Sequence, residues 1–175
     1  MFFYRTDIFD ELGLTVPGSW EELIELIPLL QRKNLTMGIP HDANMYALLL
    51  YQNGGELYSD EGASTNLGSN EGLNAFLELT ELFTLYDLPV TFDFANRFRS
   101  GEMPCGIQDY SMYNQLTAFA PEIRGMWRMV PVPGREAGES LSVGTGTNAM
   151  IIRSGGDTQL AWEFLKWWMS ADVQS

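Results

Sequence analysis

Four tyrosines stand close to amides and carboxylates: Tyr46 and Tyr51 follow Asn44, while Tyr110 and Tyr113 are interleaved with Gln108, Asp109 and Asn114. Flat apolar rings beside such groups suit sugars, whose C–H faces stack on rings while their hydroxyls take paired polar partners. For any single tyrosine a half-buried core ring with its hydroxyl at the surface is an equal reading, so the cluster is more persuasive than its members. Glu56, Asp60, Glu61 and Asp109 lie near turns and could supply the carboxylate pair of a glycosidase. With 23 acidic residues in the chain, chance proximity explains them better. His41 is the only histidine, which excludes the usual multi-histidine metal sites, and no D-x-[DN]-x-[DN]-G calcium loop occurs. Cys105 and His41 could be cast as nucleophile and base, but a cysteine between Pro104 and Gly106 in an apolar run is more simply a core thiol. Gly144, Thr145 and Gly146 lack the lysine of a P-loop and the third glycine of a dinucleotide fingerprint. Their small side chains do let a ligand or another backbone approach closely.

The elements that must position these groups centre on residues 97–114, RFRSGEMPCGIQDYSMYN. A helix tail stops at Gly101, an apolar run over 103–107 reads as a buried strand, and Gln108 and Asp109 open a second amphipathic segment. Where a strand hands over to a helix in an α/β sheet, free backbone N–H groups and loop side chains converge, and Tyr110 and Tyr113 fall on that edge. Upstream, residues 1–4 read as a strand, Asp7 as the cap of a helical turn ended by Gly13, and Ser19 with Glu22 as a capping box opening a helix that Pro28 should kink. A short strand over 36–39, an apolar helix over 44–52 and a hairpin turning at 60–62 follow. In the helix over 71–88, Leu73, Phe76, Leu77 and Phe83 form one stripe and Leu79, Leu82 and Tyr86 a second, which predicts burial on two sides. A short helix over 92–100 leads into the central stretch, and residues 125–132 alternate as a strand does. Residues 142–152 should finish in a buried strand, and Asp157 should cap a last helix whose Trp162, Trp167 and Trp168 cannot all face inward.

The formal net charge of -13, from 23 acidic and 10 basic residues, argues against a nucleic-acid or anionic-membrane surface, since both demand positive charge. A neutral or cationic small ligand is easier to reconcile with it. One cysteine rules out a disulfide within the chain, and no apolar run is long enough to span a membrane. The opening MFFYRTDIF has no basic lead and no cleavage site, so it is not a signal peptide and reads as though it began in mid-protein.

Taken in order, these segments resemble family 1 extracellular solute-binding proteins, the carbohydrate-binding components of ABC importers related to maltose-binding protein. FFYRTDIFDELGLTVPGSWEELIELIPLL is similar to that family's YN-K-D-L-F-x-x-A-G-L-x-x-P-x-T-W-x-E signature. LLLYQNGGELYSDEG resembles its apolar helix with double glycine and hairpin, and FRSGEMPCGIQDYSMYN its F-x-x-G-x-x-A-M-x-I-x-G-x-W block. MVPVPG, GTGTNAMII and AWEFLKWWMSADVQ continue the likeness to the end of the chain. Two departures touch the ligand side: Arg5 replaces the lysine or asparagine of the opening signature, and the glycine and tryptophan of the central block are replaced around Asp109 and Ser111, leaving Tyr110 and Tyr113 as the nearest aromatics.

The resemblance implies an α/β fold, helix-rich with a small central mixed sheet, in which residues 1–175 form a single domain. That domain would be the second lobe of a two-lobed type II periplasmic-binding-protein fold, the first lobe and the C-terminal helices being absent. It implies a non-enzymatic receptor that captures a sugar or oligosaccharide outside the cytoplasmic membrane, in the periplasm or as a surface lipoprotein. The implied partners are the membrane subunits of an ABC transporter, with no cofactor, no metal, no nucleic acid and a monomeric state. Tyr110 and Tyr113 would stack on the ligand, with Tyr46 among the aromatic contacts. Gln108 and Asp109 would bind its hydroxyls, and Gly144, Thr145 and Gly146 would offer backbone groups. Alternatives are a receptor for peptides or other polar metabolites, a glycosidase-type domain, and an interaction domain displaying the tryptophan helix. If one wall of a two-walled cleft supplies half of a micromolar interaction of roughly -8 kcal/mol, it binds at about millimolar or weaker.

Overall fold

The computed structural model describes residues 1–144, 146, 148–152 and 156–174. It divides into two compact units, Met1–Val143 and Gly144–Ser175. No helix among the described residues is long and apolar enough to cross a membrane.

The first unit is built on strand β1 (Phe2–Arg5), flanked by β5 (Cys105–Ile107) on one side and β6 (Trp127–Val130) on the other. With β2 (Met37–Gly38) the sheet order is β2-β5-β1-β6; β1 runs antiparallel to both neighbours and β2 parallel to β5. The sheet is therefore small and mixed. Side chains alternate across β1, so Phe2 enters the main core and Phe3 a smaller core on the other face, both with no exposed surface. A sheet covered on both faces explains why its strands read as continuous apolar runs.

Helices α2 (Trp20–Gln31), α3 (Ala43–Gln52) and α4 (Asn70–Thr84) cover the first face through Leu23, Ile27, Leu49, Leu79 and Leu82. Helices α5 (Phe94–Ser100) and α6 (Ser111–Phe119) cover the second through Phe94, Phe98 and Leu116. Gly38 and Gly106 pair across the parallel strands, and a Cβ on Gly106 would lie 2.3 Å from the Gly38 carbonyl oxygen and 2.6 Å from the Phe94 ring. Two bare glycines let Phe94 lie directly on the sheet.

Capping follows the sequence closely. Ser19 accepts the Glu22 amide at 3.3 Å, while the Glu22 carboxylate reaches back to the Gly18 amide at 2.7 Å, one residue before the usual capping-box partner. Asp42, Ser69 and Asp93 cap α3, α4 and α5. Gly13 ends the first helix, α1 (Thr6–Leu12), in the left-handed conformation at φ 64°. The hairpin of β3 (Tyr58–Ser59) and β4 (Ser64–Thr65) turns through Asp60–Gly62 as the sequence predicts.

Three expectations are corrected. Asp7 does not cap α1, because the buried guanidinium of Arg5 takes its carboxylate at 2.8 and 2.6 Å and is a stronger partner than a first-turn amide. Helix α4 is buried on one side only: Gly72, Ala75, Leu79 and Leu82 face inward, whereas Leu73, Phe76 and Leu77 are about half exposed. A Cβ on Gly72 would lie 2.5 Å from the Leu67 carbonyl oxygen, and the Gly72 carbonyl takes the Tyr46 hydroxyl, so the side of α4 with the small residues is the one that packs. Residues 148–152 form no strand, and Met150 and Ile152 are exposed.

In the second unit, helices α7 (Thr158–Trp168) and α8 (Ala171–Gln174) stand next to each other in sequence. Asp157 caps α7 by accepting the Gln159 and Leu160 amides at 3.0 Å. Trp162, Trp167 and Trp168 are all about half exposed, and Phe164 lies against Trp167 and Trp168 at centroid distances of 5.8 and 6.1 Å.

Candidate functional site

Strands β2 and β5 are parallel, so both end at the same edge of the sheet. Past β2 the chain runs through Pro40 and His41 to the Asp42 cap of α3; past β5 it runs through Gln108 and Asp109 to the start of α6. Two loops and two helix N-termini thus meet at one place, the arrangement that makes the carboxyl edge of parallel strands a ligand site. An open groove of about 450 Å³ lies there, lined among others by His41, Phe92, Asp93, Gln108, Met112 and Gln115. It offers two amides, a carboxylate, an imidazole and an aromatic ring. Asp93 is held ionised: the Asn96 amide and side chain donate to it at 3.1 and 2.6 Å, with the backbone bond the larger cause of a carboxyl lying below its ordinary range. The His41 ring is steadied edge-on against Phe83 at 4.9 Å.

Gln108 is the one sequence-predicted residue that lines this groove; its backbone amide donates to the Met1 carbonyl at 2.9 Å, which fixes the turn. Asp109 is exposed; its Oδ1 accepts the Ser111 amide at 2.9 Å and the Ser111 hydroxyl, and its charge acts on the N-terminal ammonium of Met1. Tyr110 and Tyr113 are 60% and 38% exposed and stack at 5.9 Å with an interplanar angle of 17°. Both rings are at the surface. Tyr113 nevertheless leans away from Gln108, edge-on to Trp127 at 5.7 Å.

The reason is the helical period. Met112 and Gln115 share one flank of α6, and Tyr113, Leu116, Thr117 and Ala120 share another, where they border a second groove of about 420 Å³ with Trp127 and Arg128. Tyr46 belongs to neither groove: its ring packs on the main core and its hydroxyl donates to the Gly72 carbonyl at 3.2 Å, tying α3 to α4. Tyr51 and Glu56 border a third open groove of about 550 Å³ with Tyr58. Gly144 and Gly146 are exposed residues of the second unit, and Thr145 lies outside the described residues.

Sequence reasoning considered His41 only as a metal ligand or base and did not single out Phe92, Asp93, Gln115, Arg124, Trp127 or Arg128. His41 could have been found from the parallel pairing of the two strands. Trp127 could have been found from the alternation of β6, which puts it on the same face as Met129. Burial pushes the Cys105 thiol well above its usual range, and the residue is fully enclosed in the core, as the sequence predicts.

The first unit's architecture matches that of known receptors. A solute-binding protein of an ABC transporter from Thermotoga lettingae TMO, bound with α-D-tagatose, superposes with a TM-score of 0.78 at 23% identity over 99% of this chain and 48% of that one. The ABC-transporter-associated binding protein of B. animalis subsp. lactis Bl-04 in complex with β-1,6-galactobiose gives 0.76 at 18% identity over 98% and 46%. The sugar-binding protein MalE from Xanthomonas citri gives 0.72 at 18% identity over 99% and 47%. The chain thus spans about half the length of each. No curated protein sequence matches it. The sequence profile of the bacterial extracellular solute-binding proteins matches residues 1–175 throughout, and the chain belongs to that family.

Proposed function

We propose that this chain forms the ligand-binding part of a carbohydrate receptor, which captures a sugar or oligosaccharide outside the cytoplasmic membrane and delivers it to the membrane subunits of an ABC importer. The observation that carries this is the convergence of the β2 and β5 loops on one groove, where His41 and Gln108 arrive from different parts of the sequence. Gln108 presents both a donor and an acceptor to neighbouring hydroxyls, and Asp93 and Gln115 offer further partners. Phe92 gives the ring face, and the exposed Asp109 and Tyr110, next in sequence after Gln108, extend the site. Tyr113 buttresses Tyr110 from behind through their stack. Tyr46 serves the packing of α3 on α4 and is left out of this site.

The receptor binds its sugar and does not cleave it. Titration calorimetry with tagatose, maltose and β-1,6-galactobiose, taken up to about 50 mM to cover millimolar affinity, tests both statements. At least one sugar should bind and be recovered unaltered. Gln108→Ala should weaken it about tenfold, the effect of removing one bidentate polar contact. Unchanged binding in both Gln108→Ala and Phe92→Ala would show that the sugar sits elsewhere.

A further inference from the structure

The sheet-edge groove does not close at the N-termini of α5 and α6. Asp93, Ala95 and Gln115 line it and also line a crevice of about 230 Å³ between the two helices. Both helices start at that edge, α5 from its Asp93 cap and α6 after β5, so the crevice follows them away from it. Helical spacing fixes its walls: Asn96 and Arg99 lie three apart on α5, and Gln115 and Phe119 four apart on α6, so each pair shares one flank. Buried Leu116 and Ala120 make the floor. Phe119 is 75% exposed, more than any other phenylalanine, tyrosine or tryptophan among the described residues, and it packs in neither core of the unit. The charges of the crevice offset one another. Arg99 meets Glu122 at 3.4 Å and its charge also acts on Asp93, while the Asn96 side chain donates to Asp93 at 2.6 Å and keeps its own carbonyl as an acceptor.

We propose, resting on the sheet-edge groove as the sugar site, that its ligand is a neutral oligosaccharide of at least two hexoses, whose second ring occupies the crevice between α5 and α6. The first ring takes Gln108 and Phe92 at the sheet edge. The second lies against Phe119, with Arg99 donating to its hydroxyl oxygens and the Asn96 carbonyl accepting from a hydroxyl. Gln115, which borders both cavities, stands at the glycosidic bond between them. Alone, the crevice falls below the roughly 300–1,000 Å³ of small-molecule sites, so it serves as a continuation of the groove and not as a site of its own. The balance of charge selects a neutral sugar, because a carboxylate would lose to Asp93 and Glu122 what it gained from Arg99.

The test is titration calorimetry of maltose against glucose, and of β-1,6-galactobiose against galactose, each taken up to about 50 mM. At least one disaccharide should bind about tenfold or more tightly than its parent hexose, and Phe119→Ala and Arg99→Gln should each weaken that disaccharide about fivefold. Neither variant should alter binding of the hexose, which Gln108→Ala weakens along with the disaccharide. Phe119 and Arg99 are both exposed, so these variants keep the fold. Phe76→Ala, which removes an exposed ring lining neither cavity, should change nothing. Equal binding of hexose and disaccharide, or a disaccharide indifferent to both Phe119→Ala and Arg99→Gln, overturns the crevice and leaves the sheet-edge site standing. Weaker hexose binding in Phe119→Ala overturns it too, since the crevice would then hold the first ring. Digalacturonate binding more tightly than both neutral disaccharides overturns the neutral class. If no sugar of either length binds, the sheet-edge site falls and the crevice with it.

Discussion

Replacing Arg5 with methionine should destabilise the first unit more than any change to its visible salt-bridge partner. The Arg5 guanidinium makes four hydrogen bonds: two to the Asp7 carboxylate at 2.8 and 2.6 Å, and two from Nη1 to the Phe98 and Arg99 carbonyls at 3.0 and 3.2 Å. The last two groups close the C-terminus of α5, where a cation also meets the negative end of the helix dipole. Asp7 is 40% exposed and returns to water once released, so its pairing is worth under about 1 kcal/mol. The Phe98 carbonyl keeps the Gly101 amide at 3.2 Å but loses its charged donor, as does the Arg99 carbonyl, at a cost of about 1–3 kcal/mol. Arg5→Met should therefore cost about 2–4 kcal/mol, and Asp7→Asn no more than about 1 kcal/mol. Urea unfolding followed by far-ultraviolet circular dichroism reads both. The Arg5 bond holds the Asp7 carboxyl below its ordinary range, which fixes the pH dependence of the smaller effect. A carboxyl depressed on folding contributes stability that is complete above its unfolded value, about 3.9, and is lost as pH falls through the folded one. The gap between the natural chain and Asp7→Asn should hold from pH 7 to about 5 and close below about 4. If Arg5→Met proves no worse than Asp7→Asn at pH 7, the carbonyls of α5 are satisfied by other means and their capping by Arg5 carries no energy.

Gly106→Ala should cost about 1–3 kcal/mol or more by overpacking, since its Cβ meets backbone at 2.3 Å; an unchanged urea midpoint would mean that the two strands separate freely. Cys105 should resist a thiol reagent at pH 8 in the folded protein and react at once in denaturant, because the residue has no exposed surface; rapid labelling under native conditions would place it outside the core. Tyr46→Phe should lower stability by about 1 kcal/mol through loss of the bond to Gly72 and leave sugar titrations unaltered; weaker sugar binding would return Tyr46 to the site.

Much of the frame was legible in the sequence because local chemistry decides it. Ser19, Asp157 and Gly13 mark helix ends by hydrogen bonding and by φ, both of which act within a few residues. Gly101, at φ 85°, ends α5 in the same way before the buried strand that follows. What was not legible depends on partners remote in sequence. Helix α4 has two apolar stripes, and periodicity alone reads both as buried, although Leu73, Phe76 and Leu77 are about half exposed. Packing turns the side with Gly72 and Ala75 inward, where the Leu67 carbonyl lies 2.5 Å from the place a Cβ on Gly72 would take. Asp7 was misassigned for a related reason: the first-turn amide is local and visible, whereas the Phe98 and Arg99 carbonyls that anchor Arg5 lie 93 and 94 residues away.

The same distinction divides the candidate site. In the sequence, Gln108, Asp109, Tyr110 and Tyr113 form one cluster because six consecutive positions hold all four. Once α6 begins, each residue turns about 100° from the last, so neighbours in sequence become opposite flanks within two or three positions. Met112 and Gln115 then belong with Gln108 in the sheet-edge groove, while Tyr113 and Thr117 join Trp127 at β6. Proximity along the chain joins four residues at one edge of the sheet and overstates the unity of what stands there. The parallel pairing of β2 with β5 supplies what the cluster lacked, because it brings His41 to Gln108 across 67 residues of sequence. The proposed sheet-edge site thus draws its groups from separate strands, whereas Tyr113 lines the groove on the other flank of α6.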